Sequence, residues 1–235
     1  MLSLAIAGAE AISAVAALAL VYSTLKPCRA SSVPYLLGVP AGFGLMTIAF
    51  LANVVFYVAD PPSGGLLLGA VFLLMQTYGI LFLALTYARR TRLKFIGESV
   101  SIEFAIPSLI TIVVVSNVLL SGSTTTFPNA VPQSMGLSLR VVMALAALYL
   151  LYETGRNWSL TKRASEGFVI GGFALLFIEQ LGFIFVAILG ELAAFVGYEG
   201  RIIGLLILIA ATYVGIRKGD FTTGLKRLGL TAPAH

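Results

Sequence analysis

The chain has 235 residues, of which 59% are hydrophobic and 11% charged, with a formal net charge of +5 and a mean hydropathy of +1.00. Soluble domains carry about 25% charged residues, so the composition excludes an ordinary globular domain and predicts an all-α integral membrane protein. One cysteine, Cys28, excludes a disulfide framework, and one histidine, His235, excludes a Cys/His metal cluster or a bis-histidine haem within the chain.

Seven apolar segments are drawn in chain order: 3–24, 34–58, 65–88, 102–120, 135–154, 167–190 and 201–216. Each approaches or exceeds the length needed to cross a hydrocarbon core of about 30 Å. The start, MLSLAIAGAEAIS, lacks the basic stretch of a cleavable signal, so segment one is expected to be a retained span. No lipidation motif is evident. Only the linker 121–134 is long, and no room remains for a soluble domain. The expectation is one transmembrane domain: a first triplet over 1–95, a linking helix and loop over 96–134, a second triplet over 135–219, and a tail over 220–235.

All but two of the fifteen basic residues fall in loops one, three and five and in the tail. These are Lys26, Arg29, Arg89, Arg90, Arg92, Lys94, Arg156, Lys162, Arg163, Arg217, Lys218, Lys226 and Arg227. The positive-inside rule then predicts an N-terminus outside and a C-terminus in the cytoplasm of a multi-pass cell-membrane protein. The bias points to lipid, not to nucleic acid. Arg89, Arg90, Arg92 and Lys94 suit anionic headgroups, and the tail suits the membrane surface. Tyr22, Tyr87, Tyr152 and Tyr213, with Trp158 in loop five, are expected to form an aromatic belt.

The chain repeats itself at an offset of 130 residues. Ala14, Ala16, Ala17, Leu18, Leu20, Tyr22 and Thr24 fall on Ala144, Ala146, Ala147, Leu148, Leu150, Tyr152 and Thr154. Without a gap, Gly42, Phe43, Leu45, Ile48 and Leu51 then fall on Gly172, Phe173, Leu175, Ile178 and Leu181. Segment three matches segment seven after a shift of about one helical turn, with Ala84, Thr86 and Tyr87 on Ala210, Thr212 and Tyr213. The plan is a parallel 3+1+3 repeat with its pseudo-axis along the membrane normal.

Within segment six, Glu179 and Gln180 interrupt twenty-four otherwise apolar residues near their middle. A carboxylate at that depth costs roughly 2.5–3.5 kcal/mol on insertion scales, so it requires a partner, a proton or water. At about 1.5 Å per residue, Glu179 lies roughly 15 Å, Glu10 roughly 10 Å and Arg140 roughly 6–8 Å below the outer surface. The repeat sets Glu10 opposite Arg140. Asn53 and Asn117 fall in the outer half, and Gln76 nearer the middle. Glu179, Gln180, Glu10, Arg140, Asn53 and Gln76 are therefore the candidate ligand- or ion-binding residues. One arginine for two acids leaves one acid to water, a proton or a ligand. Glu191, Glu199 and Arg201 are expected as solvated rim charges, and Asp60 as a turn residue.

Gly38, Gly42 and Gly44, with Pro40, open segment two, and Gly167, Gly171 and Gly172 open segment six. Gly200 and Gly204 add a weaker pattern. Small residues at this spacing serve close helix packing or a pair of hinges.

In plan, the outside N-terminus and 3+1+3 order resemble SWEET-type sugar transporters and microbial rhodopsins. Segment seven, RIIGLLILIAATYVGI, has no internal lysine for a retinal Schiff base. Of the prolines expected at SWEET inner helix ends, only Pro40 lies well inside one, and the paired Pro-Gln signature is absent. No Gly-x-Ser-x-Gly or His-Glu-x-x-His motif is present, so an enzyme is not expected, nor is a metal or other cofactor. Two readings stand. One is a small-solute or ion-coupled transporter with a polar site around Glu179, taking a small solute or a proton. The other is a non-transporting sensor- or receptor-like module or a subunit of a membrane complex. The candidate protein partners are a second copy of the chain, in a homo-oligomer, or another member of a membrane complex.

Overall fold

The computed structural model describes residues 2–30, 34–59, 65–91 and 133–217. They form six helices: α1 (Leu2–Ala30), α2 (Gly38–Ala59), α3 (Gly65–Thr91), α4 (Gln133–Thr161), α5 (Ala164–Leu189) and α6 (Glu191–Arg217), with a 3-10 turn Pro34–Leu37 leading into α2. All six are long and apolar enough to cross a membrane, which suits a polytopic protein in a lipid bilayer. No strand occurs among the described residues. Segment 102–120, Asn117, Asp60, Arg92, Lys94 and the tail 218–235 lie outside them.

The choice of helix follows from the solvent. Lipid offers no hydrogen bonds, so each backbone group must be paired within its own span. The hydroxyls in these spans do the same. Thr24 donates to the Leu20 carbonyl, Thr47 to Phe43, Thr77 to Leu73, Thr154 to Leu150 and Thr212 to Leu208. Each thus returns to the preceding turn and leaves no unpaired hydroxyl where the helices pack.

Each helix packs on its neighbours in the chain, and α6 returns to α1, closing a ring in chain order. The sealed core holds Leu20, Met46, Ile80, Leu83, Met143, Leu150, Leu176 and Leu205, none more than 1–2% exposed. Two glycine contacts set the spacing of the ring. A Cβ on Gly42 of α2 would stand 2.7 Å from the Gly79 carbonyl of α3, and one on Gly204 of α6 would stand 3.0 Å from the Gly172 carbonyl of α5. The glycine stretches therefore let backbones touch.

The joints are shorter than the hydropathy boundaries imply. Segment seven, expected from residue 201, begins as helix at Glu191, and only Gly190 separates α5 from α6. Gly190 closes α5 with φ 63° and an N–H bond to the Val186 carbonyl of 2.8 Å, a conformation in which glycine avoids a Cβ clash. Segment five, expected to end at 154, runs on to Thr161, so Trp158 sits on helix instead of loop. Only Lys162 and Arg163 join α4 to α5. Of the belt tyrosines, Tyr22, Tyr152 and Tyr213 point outward, whereas Tyr87 turns inward and packs edge-on against Phe173 with ring centres 5.7 Å apart.

Candidate functional site: a buried network of four charges

Each helix of the ring carries a polar side chain inward at a similar level, nearer the end at which α1 starts. Glu10 of α1 takes two partners on Oε1: Asn53 Nδ2 of α2 at 2.7 Å and Arg201 Nη2 of α6 at 2.9 Å. Arg201 also donates from Nε to Ser13 Oγ at 3.1 Å, and its Nη1 lies 3.5 Å from Glu179 Oε1 of α5. Glu179 Oε1 accepts from Gln76 Nε2 of α3 at 2.8 Å. Arg140 Nη1 of α4 donates to Gln76 Oε1 and to Gln180 Oε1, each at 3.2 Å. The result is one connected chain: Asn53, Glu10, Arg201, Glu179, Gln76, Arg140 and Gln180.

Glu10, Gln76, Glu179, Gln180 and Arg201 are 0% exposed, while Arg140 keeps part of its surface open. Aromatic rings wall both guanidinium groups. Arg201 lies 4.5 Å from the Phe50 ring centre and 5.1 Å from that of Tyr198. Arg140 lies 4.3 Å from Phe183 and 5.4 Å from Phe72. Such contacts exploit the negative face of the ring and gain in strength where water is excluded. Two arginines and two glutamates leave the network with no formal net charge.

Pairing is nonetheless incomplete. Glu10 Oε2, Glu179 Oε2, Gln180 Nε2 and both terminal nitrogens of Arg201 are buried without a hydrogen bond of good geometry among the described residues. The Arg201 nitrogens hold their carboxylates by charge and distance instead. Buried polar atoms are normally satisfied, so a cluster with acceptors and donors both to spare is unusual.

All six residues singled out in the sequence, Glu179, Gln180, Glu10, Arg140, Asn53 and Gln76, meet in this one network. Their expected pairing differs. Glu10 takes Arg201, and Arg140 turns to the amides of Gln76 and Gln180. Arg201 itself corrects the sequence reading, which set it at a solvated rim and counted one arginine against two acids. Because α6 begins at Glu191, Arg201 is ten residues inside the helix, roughly 15 Å from its start. The signal was in the sequence: Gly197, Arg201 and Gly204 recur at the spacing of one helical face, and all are buried. Ser13, Phe50, Phe72, Phe183 and Tyr198 also escaped notice, because single hydroxyls and rings are common in any apolar helix.

A third buried carboxylate lies outside the network, about 20 Å beyond Arg140 along α4. Glu153 is 3% exposed and accepts from Tyr149 Oη at 3.1 Å. Its Oε2 and the Asn157 Nδ2 one turn on lack hydrogen-bond partners among the described residues. Comparison with protein-family models, curated proteins and solved structures finds no match for this chain.

Proposed function

We propose that this chain is a small-solute or ion-coupled transporter whose site is the network of Glu10, Arg201, Glu179, Gln76, Arg140 and Gln180. The observation that carries the reading is the combination of complete burial with unpaired donors and acceptors. Static glue between helices favours saturated pairs. A site that exchanges partners needs spare ones. Charged side chains at membrane depth most often mark ion or substrate routes. In this reading segment 102–120 supplies a seventh span, the N-terminus lies outside in a cell membrane, and the protein works without catalysis or a resident cofactor.

The parallel repeat is part of the proposal, and several contacts support it. At the 130-residue offset, positions 14–18 and 144–148 share one burial pattern, as do 42–46 and 172–176. Thr24 and Thr154 make equivalent bonds to Leu20 and Leu150, both of 2.6 Å. Gly42 faces Gly79 and Leu83, while Gly172 faces Gly204 and Leu208. This pairs 79 with 204 and 83 with 208, one residue away from the match of Thr86 with Thr212. On that register Gln76 and Arg201 are equivalents, as are Glu10 and Arg140. Glu179 and Gln180 replace Ala49 and Phe50, all four fully buried. The pseudo-symmetric frame thus holds different chemistry in its two halves.

Transport by the reconstituted protein in liposomes tests the reading. Glu179→Gln is expected to abolish the pH dependence of uptake, and unchanged proton coupling in that variant overturns it. The second reading, a sensor-like module or complex subunit, is favoured by the zero exposure of the central acids. A stoichiometric partner retained through purification in mild detergent supports that reading against the first.

A further inference from the structure

We propose that Arg140 and Gln180 form a binding site for a small monocarboxylate, and that the anion is taken up together with one proton. Arg140 is the one charged member of the network that is not sealed, and its hydrogen bonds go to neutral amide oxygens. Arg201, in contrast, is already committed to Glu10 and Glu179. The rings of Phe183 and Phe72 flank the Arg140 guanidinium. They direct a polar ligand to its nitrogen-bearing edge. The Gln180 amide that touches Arg140 through Oε1 carries an Nε2 that is buried with no acceptor among the described residues. One buried donor without an acceptor, beside a cation whose own acceptors are neutral, calls for a ligand that accepts and carries negative charge. A carboxylate fits the guanidinium fork in two parallel bonds and leaves a lone pair for the amide. Flanking rings suit a short apolar substituent on that carboxylate.

The charge count supplies the proton. The network is neutral as it stands, so a bare anion would leave one uncompensated charge at low dielectric, where charges are costly. Glu10 Oε2 and Glu179 Oε2 are two carboxylate oxygens without a hydrogen bond. A proton on Glu179, which Gln76 ties to Arg140, restores neutrality, so carboxylate and proton are expected to bind with positive coupling.

The inference rests on the transporter reading for its purpose but not for its test. Full-length protein in mild detergent is unfolded thermally with sodium propionate, sodium chloride or propylammonium chloride at equal ionic strength. Propionate alone is expected to stabilise it, since a ligand that binds only the folded state raises its stability by mass action. In weakly buffered solution about one proton should be absorbed per propionate bound, as neutrality requires. Arg140→Gln should lose the effect. If that variant fails to fold, Gln180→Leu keeps the size and drops the spare donor, and should weaken propionate about tenfold, one hydrogen bond's worth. Stabilisation by propylammonium in place of propionate overturns the site, as does undiminished propionate binding in Gln180→Leu. Propionate binding without proton uptake overturns the coupling. Propionate bound but never moved across liposomes removes the transporter reading and leaves the site. Transport of another solute without propionate binding does the reverse.

Discussion

Arg201 is the residue on which the network turns, and Arg201→Met tests its arrangement most directly. Methionine is unbranched and adaptable enough to occupy the slot between Phe50 and Tyr198. What it removes is the cation 2.9 Å from Glu10 and 3.5 Å from Glu179. Removing one partner of a buried ion pair costs about 3–5 kcal/mol, because the other charge stays buried and uncompensated. Glu10 suffers most, since its remaining partner is the neutral amide of Asn53. Glu179 keeps Gln76 and lies beside the Arg140 region of the network. Adding Glu10→Gln restores neutrality, and the Gln side chain still offers an oxygen to Asn53. The double variant is therefore expected to recover stability over Arg201→Met by about 1–3 kcal/mol, a strong departure from additivity. Unfolding by graded SDS in mixed micelles, followed by circular dichroism, gives all four corners of the cycle. A loss below about 1 kcal/mol in Arg201→Met, or simple additivity in the double variant, refutes the claim that Arg201 balances these acids.

The remaining predictions concern packing and the separate acid Glu153. Gly42→Ala and Gly172→Ala force a methyl group against Gly79 and Leu83, or against Leu208, and should each lower stability by about 1–3 kcal/mol in the same titration. Gly8→Ala and Gly136→Ala, which meet nothing within 4 Å, should be neutral or stabilise by up to about 1 kcal/mol. Glu153→Gln keeps an acceptor for Tyr149 and gives the buried site a neutral amide, so it should raise stability by about 1–3 kcal/mol. A fall in that variant would show that Glu153 serves a cation.

The six spans were legible because hydropathy reports the solvent directly. A run of Leu, Ala, Val and Gly long enough to cross lipid has few other uses. The inward polar residues were legible for the same reason: Glu179 and Gln76 have no favourable place on a lipid-facing surface. Arg201 was lost because hydropathy finds where a segment becomes strongly apolar, not where its helix begins. The turns ELAAFVGYEG mix acids with small residues and read as a loop, yet every third or fourth position packs inward: Ala193, Gly197 and Gly200. The partner exchange among the four charges was hidden too. It depends on the rotation of α6 against α1, a long-range relation that no local pattern encodes.

Consider finally the single glycine between α5 and α6. With Gly190 as the whole joint, and backbones touching at Gly172 and Gly204 and again at Gly182 and Gly197, these two helices behave as one stiff arm. Glu179, Gln180 and Arg201 all ride on it. The Gly42 and Gly79 contact makes a second arm of α2 and α3, carrying Asn53 and Gln76. Swinging one arm past the other leaves the Arg201–Glu179 pair intact and strains the bonds between the arms and to α1 and α4: Glu10 to Arg201 and Asn53, Ser13 to Arg201, Gln76 to Glu179, and Arg140 to Gln76 and Gln180. The clasp of the bundle is thus made of those few polar bonds, and whatever competes for Arg140 or Glu10 acts on the clasp itself.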